Sequence, residues 1–172
     1  MSPYVYKGGI TLFQVEKYEG KKSKDYELLL KQLKGLLEGE TDQIANLSNA
    51  SALLNQFLAD INWVGFYVYK ENEKELVLGP FQGLPACVRI AYGKGVCGTA
   101  IQEGKTQRIA DVHQFPGHIA CDAASRSEIV VPLYKNEKVF GVLDIDSPST
   151  DRFDEVDQHY LEQFAETLQS FI

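Results

Sequence analysis

Three cysteines, Cys87, Cys97 and Cys121, fall on segments dense in turn formers, acids and histidines, in a chain otherwise short of sulfur. Such a set can be a disulfide framework, a group of metal ligands, inert core thiols, or a nucleophile with a thiol that resolves it. An odd number at wide spacing makes a poor disulfide framework. For a zinc site, Cys87, Cys97, His113, His118 and Cys121 supply enough ligands, but no C-x2-C or H-x3-H pair forms a compact knuckle, so no metal is expected. The reactive form of cysteine is the thiolate, favoured near cations, histidine or a helix N-terminus. Cys121 has His118 and Arg126 close in sequence, Cys87 follows Pro85 in a loop, and Cys97 sits between Gly95 and Gly98 at an expected helix start. Backbone N–H groups there would favour a Cys97 thiolate. One cysteine alone is most often a small buried hydrophobe; three in one loop-rich region favour the reactive pair.

A second group of chemically able residues is acidic. Asp144 and Asp146 alternate in GVLDIDSP and project from one strand face, and Glu128 begins the preceding strand. Three carboxylates converging on one sheet position repel one another, so at least one should hold its proton unusually firmly. Such a cluster suits a cationic group such as an α-ammonium, or keeps one neutral acid ready to donate. Trp63 and Tyr67 lie an even number of residues apart on an aromatic strand, opposite in face to Phe66, which reads as core. An aromatic wall beside acids stabilises positive charge developing on sulfur or nitrogen. No G-x-S-x-G elbow is present, and GKGVCG lacks the Lys-Ser/Thr of a phosphate loop.

The elements that must position these groups read as follows. Residues 1–22 are expected to be an irregular leader, and 23–172 a single domain. A helix from Ser23, its cap, carries Tyr26, Leu29, Leu30, Leu33, Leu36 and Leu37 at helical spacing and stops at Gly39. A second begins near Thr41 or Asp42, with Ile44, Leu47, Leu54, Leu58 and Ile61 on its core side. Strands are expected over 63–69 and 75–78 across the turn ENEK, near 108–111, and over 127–134 and 139–145 across KNEK. A short helix is expected over 96–103 and a terminal one over 153–172. Helices at both ends of an antiparallel sheet give an α+β fold with helices mainly on one face.

Composition narrows the partners. A formal net charge of −7 argues against polyanions, because nucleic-acid binding draws on a basic face. The lysines between Lys17 and Lys34 are interleaved with acids and read as a solvated helix face. No apolar run approaches the roughly 18–20 residues that span a bilayer, and MSPYVYKGGITLF lacks the form of a secretory signal. A reducing, cytoplasmic setting is expected, where paired cysteines are more often catalytic than structural.

At these residues the chain resembles a known family. GPFQG-x-PAC (79–87), GKGVCGTA (93–100), DVHQFPGHIACDAASRSEIV (111–130) and GVLDIDSP (141–148) are similar to segments of the free methionine-(R)-sulfoxide reductases, thiol enzymes built on a GAF domain. The resemblance runs over about 41–164. It implies a GAF-like domain with a loop-covered ligand pocket on the sheet face away from most helices. It implies that Cys121 is the nucleophile and Cys87 the resolving thiol, with Cys97 an alternative disulfide partner. It also implies that Glu128, Asp144 and Asp146 hold the substrate ammonium and assist the sulfoxide, and that Trp63 and Tyr67 flank the methyl group. Apart from the resemblance, a substrate carboxylate needs donors, and backbone N–H groups around His118 to Ala120, those of Ile119 and Ala120 among them, are expected to supply them. The implied activity is reduction of free L-methionine (R)-sulfoxide through a sulfenic acid and a disulfide. A thioredoxin-type dithiol would recycle it, without metal or organic cofactor, and a homodimer is compatible with the family. The alternative is a non-catalytic GAF sensor of a small ligand, which for a cyclic nucleotide would need positive charge or amide nests where this pocket is acidic.

Overall fold

The computed structural model describes residues 20–117 and 123–172. A six-stranded antiparallel sheet forms the frame, in the order β3-β2-β1-β6-β5-β4. Its strands are β1 (Trp63–Lys70), β2 (Glu75–Gly83), β3 (Arg89–Ala91), β4 (Gln107–Ile109), β5 (Ser127–Lys135) and β6 (Lys138–Ser147). The β5–β6 hairpin closes through Asn136 and Glu137, both in the left-handed region at φ 51° and 63°, the backbone that matches a two-residue turn to strand twist. Gly141 lets β6 approach β1 closely: a Cβ there would lie 2.1 Å from the Tyr67 carbonyl oxygen.

Period-two alternation divides the strand side chains between two cores. Val64 and Phe66 of β1, Leu143 and Ile145 of β6, and Ile129, Val131 and Leu133 of β5 share one face. Three helices cover it: α1 (Lys22–Leu37), α2 (Gln43–Phe57) and α4 (Glu155–Gln169). On the opposite face Trp63, Tyr67, Val130 and Val142 pack with Val96, Cys97, Ala100 and Ile101 of α3 (Gly95–Glu103). So three helices form one layer while a short one leaves part of the other face to loops, the α+β arrangement expected.

Several boundaries differ from the sequence expectation. Residues 1–19 of the expected leader lie outside the described residues, and Lys22 is the first residue of α1 rather than leader. Its ammonium explains this: Nζ reaches Asp154 at 2.8 Å and Asp157 at 2.7 Å, drawing the chain onto α4 one residue before Ser23. Asp157 is fully buried and also accepts from Tyr26 Oη at 2.6 Å and Arg152 at 3.2 Å, so α1 and α4 are joined by a charge network as well as by leucines. Asp154 and Asp157 form a capping box that starts α4 after Phe153. In α2, Asp42 caps the Ala45 N–H at 2.9 Å. The core stripe read for α2 was too broad: Ile44 is 67% exposed, and the helix ends at Phe57, so Leu58 and Ile61 fall beyond its last turn. β2 continues to Gly83, and β3, three residues long, pairs with it at the sheet edge, too short to show any periodicity.

Candidate functional site

Sheet register assembles the acids. Trp63 pairs with Asp146 and Gly65 with Asp144 between β1 and β6, while Glu128 pairs with Asp146 and Val130 with Asp144 between β5 and β6. One residue of slip in either pairing would send these side chains into the helical core. Glu128 and Asp144 are each only 6% exposed, and Asp146 is half-buried beside them. Cys97, third residue of α3, descends onto this cluster with its Sγ 4.0 Å from Glu128 Oε1. Gly98 makes that descent feasible, because a Cβ there would come within 2.5 Å of the Ala91 carbonyl oxygen.

Burial governs the electrostatics. Removal from water, then the charges of Asp144 and Asp146, push the Glu128 carboxyl well above its ordinary range, which favours its protonated form. Burial also pushes Asp144 up, to about 6, opposed by hydrogen bonds to Cys97 and Glu128. Cys97 is raised by burial first and then by Asp144 and Glu128. The sequence expectation of a Cys97 thiolate is therefore corrected: the helix N-terminus is outweighed by a buried position among acids. One detail distinguishes this cluster from ordinary packing. Asp144 Oδ1 is buried and has no hydrogen-bond partner among the described residues. A buried carboxylate oxygen left in this way is costly unless a donor arrives to meet it.

The aromatic wall stands beside the acids as expected. The Trp63 ring stacks with Tyr67 at 5.8 Å and with Phe81 at 5.3 Å between centroids. Gly65, between Trp63 and Tyr67 on β1, has no room for a side chain: its Cβ would lie 2.3 Å from Phe81 Cβ and 2.7 Å from the Trp63 ring. Phe81 and Gly65 were not singled out from sequence, although Phe81 belongs to the GPFQG segment. Both wall residues also donate outward to one loop: Trp63 Nε1–H to the Leu84 carbonyl at 3.1 Å, and Tyr67 Oη–H to the Cys87 carbonyl at 3.0 Å. Cys87 is half-buried and disulfide-bonded, whereas Cys97 is a free buried thiol.

Cys121, with His118, Ile119 and Ala120, lies outside the described residues. The chain on either side is anchored at the acidic end of the sheet. Val112 N–H donates to the Arg126 carbonyl at 2.8 Å, Arg126 N–H to the Ser147 carbonyl at 2.7 Å, and Asn62 Nδ2 to Ser125 Oγ at 3.1 Å. His113, one of the zinc ligands weighed from sequence, is exposed and engaged by Asp111 at 3.2 Å. Ligand atoms of Cys97, Glu128 and Asp144 do lie within 4.8 Å of one another. A metal there would have to displace protons that burial holds firmly on Cys97 and Glu128.

Residues 47–172 match the GAF domain family. The chain is 51% identical over 151 residues to the free methionine-R-sulfoxide reductase of Escherichia coli, covering 88% of this chain and 90% of that protein. The chain belongs to the GAF-type free methionine-(R)-sulfoxide reductase family. Solved structures agree. The free methionine-R-sulfoxide reductase of Neisseria meningitidis in complex with its substrate superposes with a TM-score of 0.89 at 43% identity, covering 92% of this chain and 95% of that one. The reduced enzyme of Staphylococcus aureus gives 0.81 at 60% identity, over 84% and 93% of the two chains. Within this family fold, the wall and the acids occupy the face that the three-helix layer leaves uncovered. No described helix is long and apolar enough to cross a membrane.

Proposed function

We propose that the chain reduces free L-methionine (R)-sulfoxide to L-methionine, with Cys121 as nucleophile and Cys87 as resolving thiol. The observation that carries this reading is the Glu128–Asp144–Asp146 cluster, its buried Asp144 Oδ1 without a hydrogen-bond partner among the described residues, set against the Trp63–Tyr67 wall. Family membership names the chemistry; the cluster gives it a physical basis in this chain.

A free α-ammonium supplies a donor to Asp144 Oδ1, which has none among the described residues, and a peptide-bound methionine, whose nitrogen is a neutral amide, leaves that oxygen unmet. That difference favours the free amino acid strongly. Protonated Glu128 can donate to the sulfoxide oxygen, which makes sulfur electrophilic. The Cys121 thiolate attacks, the oxygen passes to its sulfur with a proton, and methionine departs; the sulfoxide sulfur is reduced and Cys121 oxidised to a sulfenic acid. Cys87 then displaces hydroxide, which leaves as water, and a disulfide forms. An external dithiol of thioredoxin type restores both thiols by exchange. The disulfide-bonded Cys87 and the free, proton-holding Cys97 support Cys121 as the partner and Cys97 as a buried neighbour of the acids. The proposed steps need no metal or organic cofactor. Backbone N–H groups of Ile119 and Ala120 are proposed as the donors that the substrate carboxylate needs.

Consumption of free methionine R- and S-sulfoxide with dithiothreitol, in wild type and Cys121→Ser, tests the reading. Turnover of the R epimer alone, abolished in the variant, is expected. Folded, reduced protein inert to both epimers would refute it and leave a GAF ligand sensor as the better account.

A further inference from the structure

We infer that Tyr67, seconded by Trp63, is a positioning residue for the resolving thiol, so that the wall beside the substrate also sets where Cys87 stands. This rests on the reductase reading above and assigns the wall a second task in the same cycle.

The loop between β2 and β3 carries Cys87 at 84–88, a stretch without regular secondary structure. With Cys87 disulfide-bonded, as it is here, three of the loop's carbonyls are held from the sheet side. Leu84 accepts from the Trp63 indole at 3.1 Å, Cys87 accepts from the Tyr67 hydroxyl at 3.0 Å, and Val88 accepts from the Leu78 N–H at 3.0 Å. Two of the three donors are thus the side chains of the aromatic wall, both on β1. Trp63 and Tyr67 are 3% and 2% exposed and stack on each other, so their rings have little freedom and neither do the carbonyls they hold. Burial raises the Tyr67 hydroxyl far above its ordinary value, which keeps it a donor at every working pH. Leu84 and Val88, by contrast, are each 64% exposed, so the loop is held by its backbone carbonyls rather than by side-chain burial at these ends.

The chemical consequence falls on one step. In resolution, the Cys87 thiolate attacks the sulfenic sulfur of Cys121. The S–S bond forms as the S–OH bond breaks, Cys87 is oxidised, Cys121 is reduced, and hydroxide leaves with a proton as water. That attack needs in-line alignment within a near-contact distance, and loss of alignment is expensive in rate. The first step, attack of Cys121 on sulfoxide sulfur, forms no bond to Cys87, so a shift of this loop falls more heavily on the second. Removing the Tyr67 hydroxyl while keeping its ring should therefore separate the two.

The test is a single-turnover experiment on wild type and Tyr67→Phe with methionine (R)-sulfoxide and no reductant. It follows methionine release, disulfide formation by quenched thiol titration, and sulfenic acid by dimedone trapping. Disulfide formation relative to methionine release should fall about tenfold, and the Cys121 adduct should accumulate. Excess dithiothreitol, which reduces the sulfenic acid without Cys87, should restore turnover. A hydrogen bond that merely stabilised the fold would lower Tm and leave this partition unmoved. Unchanged disulfide formation, or equal slowing of both steps, overturns the inference. Trp63→Phe, which removes the donor to Leu84, supplies a second variant; if neither variant folds, the bonds are structural and the inference fails. Wild type that releases no methionine sinks the reductase reading instead, so the two failures are distinct.

Discussion

Asp144→Asn should weaken substrate use and, at neutral pH, strengthen the fold. The Asp144 carboxyl lies at about 6 against an ordinary 3.8, chiefly because burial disfavours its charge. The native state thus holds a proton that the unfolded chain has lost between about pH 4 and 6. The linked stabilisation is complete below about pH 4 and gone once pH rises through about 6. Wild type at pH 7 therefore carries the burial penalty of an ionised Asp144, a shift of about two pH units at ~1.4 kcal/mol each, or at most roughly 3 kcal/mol. Asparagine keeps the shape and does not ionise. The variant should melt up to about 6–12 °C higher at pH 7, with the difference vanishing near pH 4. For catalysis the sign reverses. Loss of a charge-assisted bond to the ammonium, about 1.5–3 kcal/mol, should cut kcat/KM roughly 10–150-fold. N-acetylmethionine sulfoxide, which has no ammonium, should be affected far less. Thermal melts across pH 4–8 and kcat/KM on both substrates decide the matter. A folded variant that is less stable than wild type at pH 7, or equal losses on the two substrates, would refute the reasoning.

Two further predictions concern the frame. Gly141→Ala places a Cβ 2.1 Å from the Tyr67 carbonyl oxygen and 3.1 Å from Val68 Cα, backbone that cannot rotate away. It should cost at least about 2 kcal/mol in chemical denaturation, and activity should fall with the displaced β1–β6 register. Asp157→Asn leaves Lys22 and Arg152 without their shared buried carboxylate. A loss of about 3 kcal/mol is expected, with early amide exchange in α1, and unchanged stability would show that leucine packing alone holds that helix.

The candidate acids and the aromatic wall are announced in the sequence by local pattern. Asp144 and Asp146 alternate on one strand, Trp63 and Tyr67 share a face by period two, and the hairpin turn KNEK ties β5 to β6 so that Glu128 falls opposite Asp146. The long helices and strands were visible for the same reason. Where the reading failed, the deciding interaction was remote in sequence. α1 starts at Lys22 because of acids on α4, and β3 exists only because β2 offers it an edge.

Chemical identity was thus set by local sequence, whereas protonation and alignment were decided by the tertiary structure. Cys97 illustrates the first division. Its place near a helix start suggested a thiolate, yet burial over Glu128 and Asp144 keeps its proton, since the desolvation of a charge outweighs a terminal dipole. The tether from Tyr67 to the Cys87 carbonyl illustrates the second. It joins residues 20 apart through a contact with no local signature, formed only when β1 and the loop after β2 close on each other.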